Sequence, residues 1–194
     1  MKNKSLLSKA IAFSAAFTIA ATAFSTTSFA STTSSSVTGG NLSGGNITFE
    51  PLSATLNGSQ VSSLANWSIT DITDARGTGA GWNISLTLSQ FKEVDGNGDY
   101  VSGGKELAAN SLKVSTIPTI AQVDATSSDV STITPVVAGT SLDTESAIKI
   151  LTAQTDGGMG SYTFGNLGVE LTIPANAYAK TYKTEATVTL NTAP

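Results

Sequence analysis

"GTGAGWNISLTL", Gly77 to Leu88, is the stretch whose reading decides the fold. Gly77, Gly79 and Gly81 crowd in front of a tryptophan, and behind them Trp82, Ile84, Leu86 and Leu88 alternate with Asn83, Ser85 and Thr87. A period of two marks a half-buried antiparallel strand. A dinucleotide-binding loop needs a helix behind its glycines, because the helix N-terminus holds the pyrophosphate. Here a strand follows, and Trp82 stands where the third glycine of that fingerprint would fall. The glycines read instead as a tight turn that tolerates positive φ. Trp82 then reads as a large ring for a β core.

The same alternation recurs along the chain. Leu112 and Val114 show it in "SLKVSTIP", Val169, Leu171 and Ile173 in "GVELTIPANAY", and Ala186, Val188 and Leu190 in "EATVTL". In "ANWSITDITD" the apolar positions Trp67, Ile69 and Ile72 slip register at Asp71, which a bulge would explain. Helical periodicity is weak; "DTESAIKILTA" offers the one candidate turn of helix, and its β-branched residues oppose it. Short strands between Gly- and Asx-rich turns predict an all-β fold, an antiparallel β-sandwich or a Greek-key-like barrel. No internal repeat and no second domain is evident.

Composition removes several functions. The chain has 194 residues with no histidine and no cysteine. No imidazole base or Cys–His pair can form, a closed zinc site has no usual ligands, and no disulfide can staple the fold. Charged residues are only 12%. No basic patch points to nucleic acid. Carboxylates sit mostly in turn-like contexts, which leaves a two-carboxylate glycan hydrolase as the weakest reading.

Residues 1–30 carry the pattern of a secretory signal peptide: Lys2, Lys4 and Lys9, an interrupted apolar run from Ala10 to Phe24, then Ser28-Phe29-Ala30. The apolar run is too short and interrupted for a comfortable membrane span, and no second span or sorting signal follows. Cleavage takes three lysines and no acid, so the net charge moves from −4 to −7. Ser31 to Gly45, "STTSSSVTGGNLSGG", reads as a flexible lead-in, and 46–194 as a single β domain.

Two further constellations have competing readings. In "DGNGDYVSGGKE", Asp95, Asn97, Asp99 and Glu106 occupy positions 1, 3, 5 and 12 of a calcium loop. Position 6, which that loop needs as glycine, is Tyr100, so an exposed Asx-rich hairpin loop competes with Ca²⁺ binding. In "DARG", Asp74 precedes Arg76, the chain's only arginine. Its guanidinium can pin the turn by pairing with a carboxylate, or it can serve a ligand site.

"DITDARGTGAGWNISL", "LAANSLKV" and "YKTEATVTLNTAP" together resemble the WxL-domain surface proteins of Gram-positive bacteria. The first family motif appears as Trp82-Asn83-Ile84, with isoleucine for leucine. The second appears in the spacing Tyr182, Ala186-Thr187-Val188-Thr189-Leu190, Pro194, with alanine for an aliphatic residue and valine for the second tryptophan. The resemblance implies an all-β, non-catalytic surface domain held non-covalently on the cell wall, with peptidoglycan or another wall glycan as partner. Other WxL-type or membrane-anchored surface proteins would be further partners. Trp82, Asn83, Ile84, Val188, Thr189 and Leu190 are then the candidates for wall association, unless the motif serves the core. The inward alternation of Ala186, Val188 and Leu190 favours the core. A competing reading is a structural subunit that binds sister proteins by strand addition, with the lead-in as donor strand.

Overall fold

The computed structural model describes residues 35–194, and within them Val37–Pro194 form one unit. The expected signal peptide lies outside the described residues. In chain order the strands are β1 (Leu42–Gly44), β2 (Ile47–Thr48), β3 (Val61–Ile69), β4 (Ile72–Asp74) and β5 (Trp82–Leu88). They continue with β6 (Lys92–Val94), β7 (Leu112–Thr116), β8 (Ile120–Gln122), β9 (Ile133–Pro135) and β10 (Ile148–Ala153). The last four are β11 (Gly160–Phe164), β12 (Leu167–Ile173), β13 (Thr181–Lys183) and β14 (Ala186–Asn191). The one helical element among the described residues is a 3-10 turn at Val130–Thr132.

All pairings are antiparallel, and the expected all-β sandwich is what forms. One layer is the sheet β14-β5-β10-β9. The other consists of two sheets with matching order, β1-β4-β11-β8 and β2-β3-β12-β7. Each strand of one is joined through a two- or three-residue break to its counterpart in the other. This layer is therefore four chain segments that bend together.

Register proves the bend and corrects the expected bulge at Asp71. Ile69 pairs with Ile47 and Ile72 with Gly44, three residues on each side. Trp67 pairs with Leu167 and Asp74 with Gly160, seven on each side. A bulge would place an extra residue on one strand; none is inserted. The Thr70 amide donates to the Asn46 carbonyl at 2.8 Å and the Gly165 amide to Thr119 at 2.9 Å, so pairing carries through the corner. The slip of the inward face between Ile69 and Ile72 is this corner.

A true bulge lies elsewhere. In β10 the register against β5 shifts between Lys149 and Leu151, which lets Ile150 and Leu151 both bury completely. The same segment is a strand and not the candidate turn of helix, as its residue types argued: β-branched Ile148, Ile150 and Thr152 pack better on a pleated surface than on a helix.

One core joins the two layers. Trp82, Ile84, Leu86 and Leu88 of β5 are fully buried and meet Trp67, Ile72, Tyr162 and Leu167 from the bent layer. Trp82 stands edge-on to Phe164 of β11, with ring centroids 6.5 Å apart. The lead-in boundary also shifts. Leu42–Gly44 is a strand on β4, and the Gly40 amide donates to Ala75 at 2.7 Å. Pairing thus begins before residue 46.

Candidate functional site

The two segments that carry the family resemblance meet on adjacent strands. β14 runs along β5 so that Leu190 faces Ile84, Asn191 faces Asn83 and Val188 faces Leu86. Trp82 is fully buried, and its Nε1–H donates to the Gly158 carbonyl at 2.9 Å. Ile84 is equally buried. Val188 and Leu190 are half-buried against the core, whereas Thr189 is exposed. Ala186 is exposed, contrary to the inward alternation expected of it. β14 is the edge strand of its sheet.

Asn83 was expected on the polar face of β5. It is buried, because the chain end folds over it. Its Nδ2 donates to the Ala193 carbonyl at 2.7 Å, and its Oδ1 accepts from Asn191 Nδ2 and Ser85 Oγ, both at 2.8 Å. Arg76 closes the other side. Its Nε and Nη2 pair with the two oxygens of Asp74 at 2.9 and 2.8 Å. Nη2 also donates to Gly81 at 2.7 Å, and Nη1 to Thr192 at 2.9 Å. Asp74 is almost wholly enclosed. Burial pushes its carboxyl up, yet the hydrogen bonds and charge of Arg76 outweigh that and hold it below the ordinary value. The hydrogen bond to Asp74 in turn raises Arg76. Motif, glycine turn and "DARG" thus form a single clamp on the last residues of the chain. Sequence proximity signalled only the Asp74–Arg76 pair; its reach to Thr192 spans 116 positions.

The turn glycines Gly77, Gly79 and Gly81 all have positive φ. Gly81 is the critical one. A Cβ there would lie 2.5 Å from the Ala153 carbonyl, against a backbone that cannot give way.

The calcium candidates are not gathered into a cage. Asp95 Oδ1 accepts from the amides of Asn97 and Asp99 at 2.8 and 3.0 Å, which pulls its pKa down and makes the loop an Asx turn. Glu106 faces Lys92 instead, at 3.7 Å. Among the described residues no three acidic side chains converge on a cation position.

A groove of about 1230 Å³ opens at the other end of the sandwich. Its walls are Phe49–Leu56 and Tyr178–Thr184, and its floor includes Trp67, Leu88, Phe91 and Leu171. Leu88 ends the strand that Trp82 begins, so the groove lies roughly 20 Å from Trp82 along β5, at ~3.3 Å per residue. Tyr178 is 56% exposed and Phe49 38%. Three acids line it, yet each carboxylate already accepts from a protein donor: Glu50 from the Asn66 amide, Glu93 from the Lys105 amide and Asp95 from its own loop. The Lys105 amide first, and then Lys180 at 2.9 Å, hold Glu93 below the usual carboxylate range. A general acid needs the opposite shift. No residue pattern announced this groove, because its walls lie far apart in sequence.

Residues 39–194 match the family described as WxL domain surface cell wall-binding. The chain belongs to that family. No curated protein and no solved structure matches it. The two segments that carry the family resemblance, Trp82–Ile84 and Val188–Leu190, lie on bonded neighbouring strands. WxL membership makes this a surface, cell-wall-binding type of domain. No helix of the described residues is long and apolar enough to cross a membrane.

Proposed function

We propose that the protein is a secreted, non-catalytic surface protein that attaches non-covalently to the wall of a Gram-positive cell, with peptidoglycan as its ligand. Adhesion or the assembly of surface complexes is the role this attachment serves. The observation that carries the reading is the division of labour along β5. The family motif is spent on the core and the C-terminal clamp, while exposed aromatic and polar side chains collect at the far end. The absence of histidine and cysteine from the chain supports a binding role over a catalytic one. Sedimentation of the mature protein with purified sacculi tests it. Enrichment above an unrelated β-protein is expected, and no enrichment would sink direct wall binding. In the same samples Trp67 and Trp82 should emit as buried indoles and resist acrylamide, since both are at most 3% exposed.

A second reading rests on β14. It ends its sheet, so its outer edge carries unpaired backbone groups open to a strand from a sister protein. The donor would have to come from residues before Leu42, because Leu42–Gly44 is already seated on β4. Size-exclusion chromatography of mature and lead-truncated protein decides: identical monomers would overturn strand exchange.

A further inference from the structure

We propose that Asn57 is a site of spontaneous covalent modification. Its side chain closes onto the Gly58 amide nitrogen and then hydrolyses to aspartate and isoaspartate, while the matching pair Asn97–Gly98 is held back by its own hydrogen bonds. The inference is independent of wall binding.

Two asparagines of the chain precede glycine, Asn57 and Asn97. Glycine matters because the amide nitrogen after asparagine is the nucleophile, and a Cβ on that residue would crowd its approach. Both asparagines are exposed in loops, Asn57 ahead of β3 and Asn97 after β6. On residue type alone the two rank together.

Their surroundings separate them. Asn57, Gly58 and Ser59 are all exposed. The Gly58 N–H donates to no protein acceptor among the described residues. A Cβ added at Gly58 would meet nothing within 4 Å, so the backbone has room to turn its nitrogen toward the side chain. The Ser59 amide donates to Asn57 Oδ1 at 2.9 Å, which holds the side-chain carbonyl against its own backbone and draws electron density from Cγ. No charged residue lies between Glu50 and Asp71, so no carboxylate of this segment opposes loss of the amide proton.

Gly98 is engaged at both ends. Its N–H donates to the Asp95 carbonyl at 3.1 Å, and its carbonyl accepts from Lys183 Nζ at 3.5 Å. The nitrogen must give up the first bond before it can attack. Asp95 and Asp99 also flank the pair, and their negative charge disfavours a deprotonated amide.

The chemistry needs only water. Hydroxide removes the Gly58 amide proton, and the nitrogen attacks Asn57 Cγ. The Cγ–Nδ2 bond breaks, Nδ2 takes a proton from water and leaves as ammonia, and a five-membered succinimide remains. Water then opens the ring. Cleavage at Cγ gives aspartate, and cleavage at the main-chain carbonyl gives isoaspartate, whose backbone runs through the former side chain. Asn57 directly follows Leu56, the end of one groove wall. The product therefore adds a negative charge beside the groove. The one side-chain bond at stake, from Ser59, lies at the surface, so the fold survives.

Incubation of the mature protein in mildly alkaline buffer, followed by anion exchange and peptide mapping by mass spectrometry, tests the proposal. Native protein should gain an acidic species at Asn57, faster as pH rises, with isoaspartate detected by an isoaspartyl methyltransferase. Asn97 should react more slowly by about fivefold, the rate equivalent of one amide hydrogen bond. In urea the two sites should approach each other, because the Gly98 bonds are gone. Asn57→Gln should remove the early acidic species, and aged wild type should melt as fresh protein does. Equal rates at Asn57 and Asn97 in the native chain would overturn the proposal. So would strong protection of Asn57 by folding, or an early acidic species that persists in Asn57→Gln.

Discussion

Arg76 holds the end of the chain: its Nη1 donates to the Thr192 carbonyl at 2.9 Å while its other nitrogens grip Asp74. Lysine keeps the charge but cannot form this planar fork. Arg76→Lys should therefore lower stability by about 2 kcal/mol, the scale of a hydrogen bond to a charged group. Urea denaturation measures that loss. Limited proteolysis should then cut first near β14, since the bond from Arg76 to Thr192 that holds the residues after it is gone.

Acid should weaken the same clamp. Asp74 has a lowered pKa in the folded chain, despite a burial effect that opposes the shift. Its contribution is thus complete above the unfolded carboxylate value of about 3.9 and disappears as pH falls through the lower folded value. Denaturant midpoints for wild type should drop on that acid limb. Asp74→Asn should be less stable than wild type at neutral pH, and its midpoint should fall less steeply with acid.

Gly77 and Gly81 share a positive φ but differ in what surrounds them. At Gly77 an added Cβ meets nothing within 4 Å, so Gly77→Ala should cost only the backbone strain of about 1–2 kcal/mol. Gly81→Ala adds a clash with the Ala153 carbonyl at 2.5 Å. It should cost clearly more, and thermal melts of the two variants side by side would reveal the difference. Equal melting temperatures would show that the turn relaxes freely.

The resemblance puts Val188 where the family's second tryptophan would stand. It is half-buried, opposite the fully buried Leu86 on an edge strand. Val188→Trp should add apolar contact and raise stability by about 1 kcal/mol, while sacculus binding stays as in wild type. An increase in wall binding instead would assign the ring a direct role in ligand contact.

Local pattern carried much of the fold. The period-two alternation of Trp82, Ile84, Leu86 and Leu88 is a one-dimensional signal, and all four are buried as it requires. The glycines before Trp82 announced a turn because few other residues tolerate that backbone. Where two signals competed, tertiary context chose. "AIKILTA" became a strand, and the slip at Asp71 became a corner shared by four segments, because neighbouring strands that no local window contains supply the hydrogen bonds.

The sites divide in the same way. The sequence by itself determined the lack of imidazole and thiolate chemistry and the β class, since residue types and short-range periodicity settle these, and its motif segments carried the family resemblance. Only the tertiary structure decided that Trp82 is framework, that Arg76 and Asn83 fasten Thr192 and Ala193, and that Tyr178, Lys105 and Phe49 share one end of the sandwich. The physical reason is range. An alternating pattern is read along one strand, whereas a clamp or a groove exists only after folding brings together side chains far apart in the chain.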